Sequence, residues 1–122
     1  MATKAAILEA LTAAEDTQRQ LRKLSMEKPE AWKKEYSMVR QSYRRAMDQV
    51  AHLGDSIFQR ETPEKFEQFK QLRQTLFSAL DHHQSAWPVL FMDETKDQAY
   101  RNSVDSLEAK HQEFAKFIRA NT

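Results

Sequence analysis

Apolar residues recur at alternating steps of four and three positions through most of this chain. The longest series consists of Trp32, Tyr36, Val39, Tyr43, Ala46, Val50, Leu53 and Ile57. Because an α-helix turns once every 3.6 residues, this spacing keeps all of these side chains on one stripe of a helix. Related series begin near Ile7, Phe66 and Tyr100. The spacing therefore predicts four amphipathic helices that bury their apolar stripes against one another.

The composition further restricts the folds that this chain can adopt. The chain has 122 residues with one glycine, three prolines and no cysteine. A sheet-rich fold needs many more turn residues, and disulfides or thiolate metal sites need cysteine. The 122 residues suit one domain, residues 1–122, with a core of its own. The net charge is +1, and no apolar run is long enough to span a membrane, so we expect a cytoplasmic protein.

Helix-start signals divide the chain into segments. Thr3 is a predicted N-cap, Pro29 fits the first turn of a second helix, and Thr62 followed by Pro63 marks a third. Two interpretations remain open at Gly54, because glycine weakens a helix interior: a continuous second helix, or a kink or break at this position. The predicted fold is all-α, an antiparallel up-down-up-down four-helix bundle with helices at about 4–25, 29–60, 63–87 and 94–120.

The connection that follows the third predicted helix is unusually apolar. It consists of Trp87, Pro88, Val89, Leu90, Phe91 and Met92. Loops are normally polar and solvated, because buried backbone groups need hydrogen-bond partners. Two interpretations remain open: the segment is a plug that closes one end of the bundle, or it is an exposed patch that binds another protein.

A second candidate surface is basic. Lys33, Arg40 and Arg44 are predicted to share a stripe opposite the apolar stripe of the second helix, with Arg45 beside it. Such a stripe could contact phosphates or carboxylates. The alternative is a solvated face that nearby acidic residues neutralise, and the nearly neutral chain favours this alternative over nucleic-acid binding.

Metal and catalytic signals are weak. Glu108 and His111 have the Glu-x-x-His spacing of carboxylate-bridged metal bundles, but the chain has no second copy of this motif. His111 is therefore interpreted as a histidine at the edge of the core. The spacing places no nucleophile beside a base, so we expect no enzyme, no cofactor and no metal.

The sequence thus predicts a protein–protein interaction module: an adaptor, an export chaperone, or an inhibitor or immunity-type protein. Its predicted partner site is an apolar helix face together with the segment Trp87–Met92. Phe58, Phe77, Phe117 and Met47 widen the apolar faces, so self-association is an alternative use of them. The alternative function is nucleic-acid binding through the basic stripe on the second helix.

Overall fold

The chain forms four long helices. The computed structural model describes residues 2–88 and 98–122. The helices are α1 (Lys4–Glu27), α2 (Trp32–Glu61), α3 (Pro63–Ala86) and α4 (Gln98–Ala120), and these two described ranges contain no strand. The predicted all-α, four-helix fold is confirmed. None of the four helices is both long and apolar enough to cross a membrane, as judged over the described ranges.

The chain divides into two compact units, residues 1–57 and residues 58–122. The first unit holds α1 and most of α2, and the second holds the last residues of α2 together with α3 and α4. The boundary between Ile57 and Phe58 lies inside α2, which is helical on both sides of it. The single domain over residues 1–122 remains a prediction.

The turn between α1 and α2 differs from the prediction. α1 ends at Glu27, and Lys28 adopts a left-handed conformation with φ 46°. The N–H of Trp32 donates to the carbonyl oxygen of Pro29 at 3.0 Å, and Ala31 has φ 61°. The prediction that Pro29 starts the second helix is wrong, because residues 29–32 form a turn and the helix begins at Trp32.

The remaining helix boundaries agree more closely with the prediction. Thr3 caps α1 as predicted, since its Oγ1 accepts a hydrogen bond from the N–H of Ala6 at 3.0 Å. Pro63 is the first residue of α3, but Thr62 makes no side-chain cap bond. α2 runs without a break through Gly54, which is buried. The start of α4 predicted near residue 94 lies outside the described residues.

Each unit buries the predicted apolar stripes. The buried apolar residues of the first unit are Ile7, Leu11, Ala14, Leu24, Trp32, Tyr36, Val39, Tyr43, Met47, Val50, Leu53 and Ile57. Those of the second unit are Phe58, Phe69, Leu76, Leu80, Tyr100, Phe114, Ala115, Phe117 and Ile118. Predicted stripe positions that are only half-buried are Gln18, Leu21, Ala46, Phe66, Leu72, Val104 and Leu107.

Aromatic contacts fix the register of α3 against α4 in the second unit. The ring centres of Phe69 and Phe114 lie 5.5 Å apart. Nearer the other end of the pair, His83 contacts Ser103 and Trp87 contacts Tyr100. The position on α4 falls as the position on α3 rises, so the two helices are antiparallel. This register brings the end of α3 against the start of α4, where the candidate site lies.

Candidate functional site

A histidine and a serine meet where the end of α3 packs against the start of α4. Nδ1 of His83 lies 2.6 Å from Oγ of Ser103. The His83 side chain is buried, with 5% of its surface exposed, whereas Ser103 is half-buried. At this distance the two atoms form a hydrogen bond. Nδ1 is its acceptor or its donor according to the tautomer of the ring. The pair links a shielded imidazole to a hydroxyl near the surface.

Two aromatic rings extend this contact toward the end of α3. The Tyr100 ring is buried and its centre lies 5.7 Å from that of His83. Trp87 packs edge-on against Tyr100, with ring centres 5.3 Å apart and planes at 87°. The N–H of Trp87 also donates to the carbonyl oxygen of His83 at 3.0 Å. Edge-to-face packing at this distance is favourable, so Trp87 is held in a defined position.

An open groove runs along the outside of the α3–α4 pair. Its volume is about 750 Å³. Ser103, whose hydroxyl contacts His83, is one of the residues that line it. The other lining residues are mostly small or polar: Gln74, Thr75, Ser78, Ala79, His82, Ala99, Asn102, Ser106, Leu107 and Lys110. The volume lies within the range of small-molecule sites, although an open groove encloses a ligand less completely than a cavity does.

Part of the predicted partner site falls in the described residues. Trp87 is half-buried and Pro88 is exposed. Val89, Leu90, Phe91 and Met92 lie outside the described residues. The choice between a plug and an exposed patch therefore stays open for these four positions, while Trp87 combines a packed ring with an accessible part.

The basic residues of α2 are not arranged as predicted. Arg40 is only 9% exposed, and its guanidinium carbon lies 4.9 Å from the ring centre of Tyr36, a member of the apolar stripe. Lys33 and Arg44 are half-buried, and Arg45 is exposed. The prediction that this stripe lies opposite the apolar one is wrong at Arg40, because residues four apart lie on the same side of a helix. Nucleic-acid binding by these residues remains a prediction.

His111, the histidine singled out in the sequence, lies within the core rather than at its edge. His111 is 1% exposed, and Glu108, three residues earlier, is half-buried. Within residues 2–88 and 98–122, no group of three or more histidine or carboxylate side chains is placed to hold a metal ion.

The contact between His83 and Ser103 was not anticipated from the sequence. The apolar spacing that begins near Phe66 predicts that His83 lies on the inner face of α3, but the spacing within α4 does not single out Ser103. Residues 20 positions apart on different helices meet only in one register of the two helices. The apolar stripes allow several such registers. The sequence therefore carries no local signal for this pair.

Comparisons of the chain with protein-family models, with curated proteins and with solved structures found no match. The functional conclusions below therefore depend on the geometry of the described residues.

Proposed function

We propose that this chain is a cytoplasmic protein–protein interaction module whose partner site includes the C-terminal end of α3. The observation that carries the proposal is Trp87, which is half-buried and packs edge-on against Tyr100 at 5.3 Å. Tryptophan and tyrosine are among the residues that most often dominate binding energy at protein interfaces. A tryptophan already held in place loses little conformational freedom when a partner binds.

The support beneath Trp87 strengthens this proposal. Tyr100 is buried and lies against the buried His83, which itself bonds to Ser103. The ring that Trp87 packs on is thus fixed by two helices rather than by a surface loop. Pro88 follows directly and is exposed, so apolar surface continues beyond the tryptophan. An adaptor, an export chaperone and an inhibitor would all use an anchor of this kind.

Two exposed methionines in the first unit provide a comparison. Met26 and Met38 are 73% and 60% exposed, and they are the large apolar side chains that stand out as exposed in the described residues. Single exposed apolar residues are normal on soluble proteins. Both methionines belong to the first unit, whereas Trp87 belongs to the second. They therefore serve as controls for the proposed site.

The test is affinity purification of the tagged chain from its native host, with mass spectrometry of the bound proteins. The wild-type chain is compared with Trp87→Ala and with Met38→Ala. Loss of an anchor worth about 2 kcal/mol weakens binding about thirtyfold, so a partner should be recovered with the wild type and Met38→Ala but lost with Trp87→Ala. Far-ultraviolet circular dichroism verifies that both variants keep their helices.

Recovery of the same partner with Trp87→Ala would refute the assignment of the site. Loss of the partner only with Met38→Ala would move the site to the first unit. If a second copy of the chain is the only protein recovered with the wild type, the module acts by self-association instead.

A further inference from the structure

We propose that Ser103 is a nucleophile and His83 its general base, and that the pair hydrolyses small carboxylic esters that enter the α3–α4 groove. This activity is independent of the protein-binding role proposed for Trp87. Three observations support this proposal: the contact between the two side chains, the position of Ser103 in the lining of the groove, and the hydrogen-bond donors of Asn102 and Lys110 in the same lining.

The contact has the arrangement that activates a serine. A serine hydroxyl is a weak nucleophile until an adjacent base accepts its proton, and the two groups must lie within hydrogen-bond distance. Oγ of Ser103 and Nδ1 of His83 are 2.6 Å apart. The imidazole is held by its burial and by the Tyr100 ring, whose centre is 5.7 Å from its own. The base is therefore oriented before any substrate binds.

The two members of the pair differ in exposure to solvent. His83 is 5% exposed, so bulk water has little access to the base. Ser103 is half-buried and borders the groove of about 750 Å³. A substrate in the groove would therefore lie beside Ser103, while the imidazole stays shielded from water.

The groove also supplies hydrogen-bond donors for a carbonyl oxygen. Asn102 and Lys110 both line it. Nε2 of Gln98 donates to Oδ1 of Asn102 at 2.9 Å, an assignment that leaves the Nδ2 hydrogens of Asn102 as its remaining donors. Lys110 contributes a positive charge, and its Nζ donates to Oγ of Ser106 at 2.8 Å. Negative charge develops on the carbonyl oxygen during attack, so donors and cations on the same wall favour the reaction.

The proposed reaction is acyl transfer to the serine followed by hydrolysis. Oγ of Ser103 bonds to the ester carbonyl carbon while His83 takes the hydroxyl proton. The carbon–alkoxy bond then breaks, and the alkoxide leaves as an alcohol with that proton. Water attacks the acyl-serine, His83 again accepts and returns a proton, and the carboxylic acid departs. The balance is ester plus water to acid plus alcohol, with no other reactant.

The test uses the intact chain and a fluorophosphonate probe, which forms a covalent bond with activated serines. Mass spectrometry of the digested protein locates the modified residue and measures its rate of labelling. Ser106 is an internal control, because it lies one turn further along α4 and borders the same groove, but its hydroxyl contacts an amine rather than an imidazole. A positioned general base contributes about 10²–10⁴-fold, so Ser103 should react at least a hundredfold faster than Ser106.

The variants His83→Gln and Ser56→Ala complete the test. His83→Gln should slow the labelling of Ser103 by a hundredfold or more, whereas Ser56→Ala, at an exposed residue of α2 that does not line the groove, should leave it unchanged. Wild-type labelling should also slow as the solution is acidified, because a protonated imidazole cannot accept the serine proton. This pH profile is measured on the wild-type chain, so it does not depend on whether a variant folds.

The wild-type chain should also release 4-nitrophenol from 4-nitrophenyl acetate. Ser103→Ala should reduce the rate of this release to that of imidazole in solution. Equal labelling of Ser103 and Ser106, or a labelling rate that is independent of pH, would overturn the proposal. In that case the hydrogen bond only joins α3 to α4. The partner test with Trp87→Ala is unaffected by either result.

Discussion

Two threonines that precede helices, Thr3 and Thr62, differ in how they use their hydroxyl groups. Oγ1 of Thr3 accepts a hydrogen bond from the N–H of Ala6, whereas Oγ1 of Thr62 is buried with no hydrogen-bond partner among the described residues. An unsatisfied buried hydroxyl costs about 1–3 kcal/mol, and a capping threonine contributes about 0.5–2 kcal/mol. The same substitution by valine should therefore have opposite effects at the two positions.

We expect Thr62→Val to raise the free energy of unfolding by about 1 kcal/mol and Thr3→Val to lower it by about 0.5–1 kcal/mol. Urea unfolding followed by circular dichroism measures both changes. A loss of stability in Thr62→Val would mean that its hydroxyl does have a partner.

The left-handed backbone at Ala31 gives a second prediction for a single residue. Ala31 has φ 61° in the turn before α2, and this conformation costs an L-residue about 1–2 kcal/mol relative to glycine. Glycine offsets part of the gain, about 0.4–1 kcal/mol, by making the unfolded chain more flexible. Ala31→Gly should therefore raise the melting temperature slightly. Ala13→Gly, in the exposed interior of α1, should lower it, since the same change there costs about 1 kcal/mol.

At the scale of a helix, we expect that the packing around Gly54 leaves no room for a larger side chain. It lies inside a continuous α2, is buried, and falls on the same side of the helix as Val50 and Ile57. Alanine would raise helix propensity by up to about 1 kcal/mol, but its methyl group would enter a packed region, where overpacking costs about 1–3 kcal/mol. We expect Gly54→Ala to lower the free energy of unfolding by about 1 kcal/mol.

Ser56→Ala is the matched control for Gly54→Ala, because Ser56 is exposed on the same helix. It should raise the free energy of unfolding by a few tenths of a kcal/mol, roughly the difference in helix propensity. If Gly54→Ala stabilises the protein as well, there is room for a methyl group at that position and packing does not explain the glycine.

The helices could be predicted from the sequence because each is encoded locally. The four–three spacing located the stripes of α1 to α4, and the Thr3 and Pro63 signals marked two helix starts correctly. The prediction that Pro29 starts α2 was wrong because Ala31 adopts a left-handed conformation in the turn before α2, and an alanine in the sequence does not indicate this conformation. The prediction for Arg40 was wrong because its guanidinium lies over the ring of Tyr36, a favourable cation–π contact that holds the side chain beside the apolar stripe.

Only part of the candidate site could be predicted from the sequence: Trp87, but not the contact between His83 and Ser103. Trp87 stood out because it opens an apolar connection, and its packing on Tyr100 holds the ring in a defined position. The meeting of His83 with Ser103 depends on how far α3 slides along α4. That register is set by contacts such as Phe69 with Phe114, which are distant in the chain. Local spacing carries no information about such a slide.

For the whole molecule, the continuity of α2 predicts that the two units unfold together. α2 is helical across the unit boundary between Ile57 and Phe58, with no loop at which one unit could unfold and leave the other intact. The chain has two tryptophans, and each reports on one unit: Trp32 on the first and Trp87 on the second. Trp87→Phe and Trp32→Phe therefore yield two proteins in which fluorescence follows a single unit.

In each of these variants we expect the loss of tryptophan fluorescence and the loss of helical circular dichroism to coincide on heating, as a two-state transition requires. Comparing the two signals within one variant removes any difference in stability between the variants. Ala31→Gly, a change in the first unit, should also shift the transition reported by Trp87 in the second. A circular dichroism curve with two steps, each followed by only one tryptophan, would show instead that the chain contains two independently folding domains.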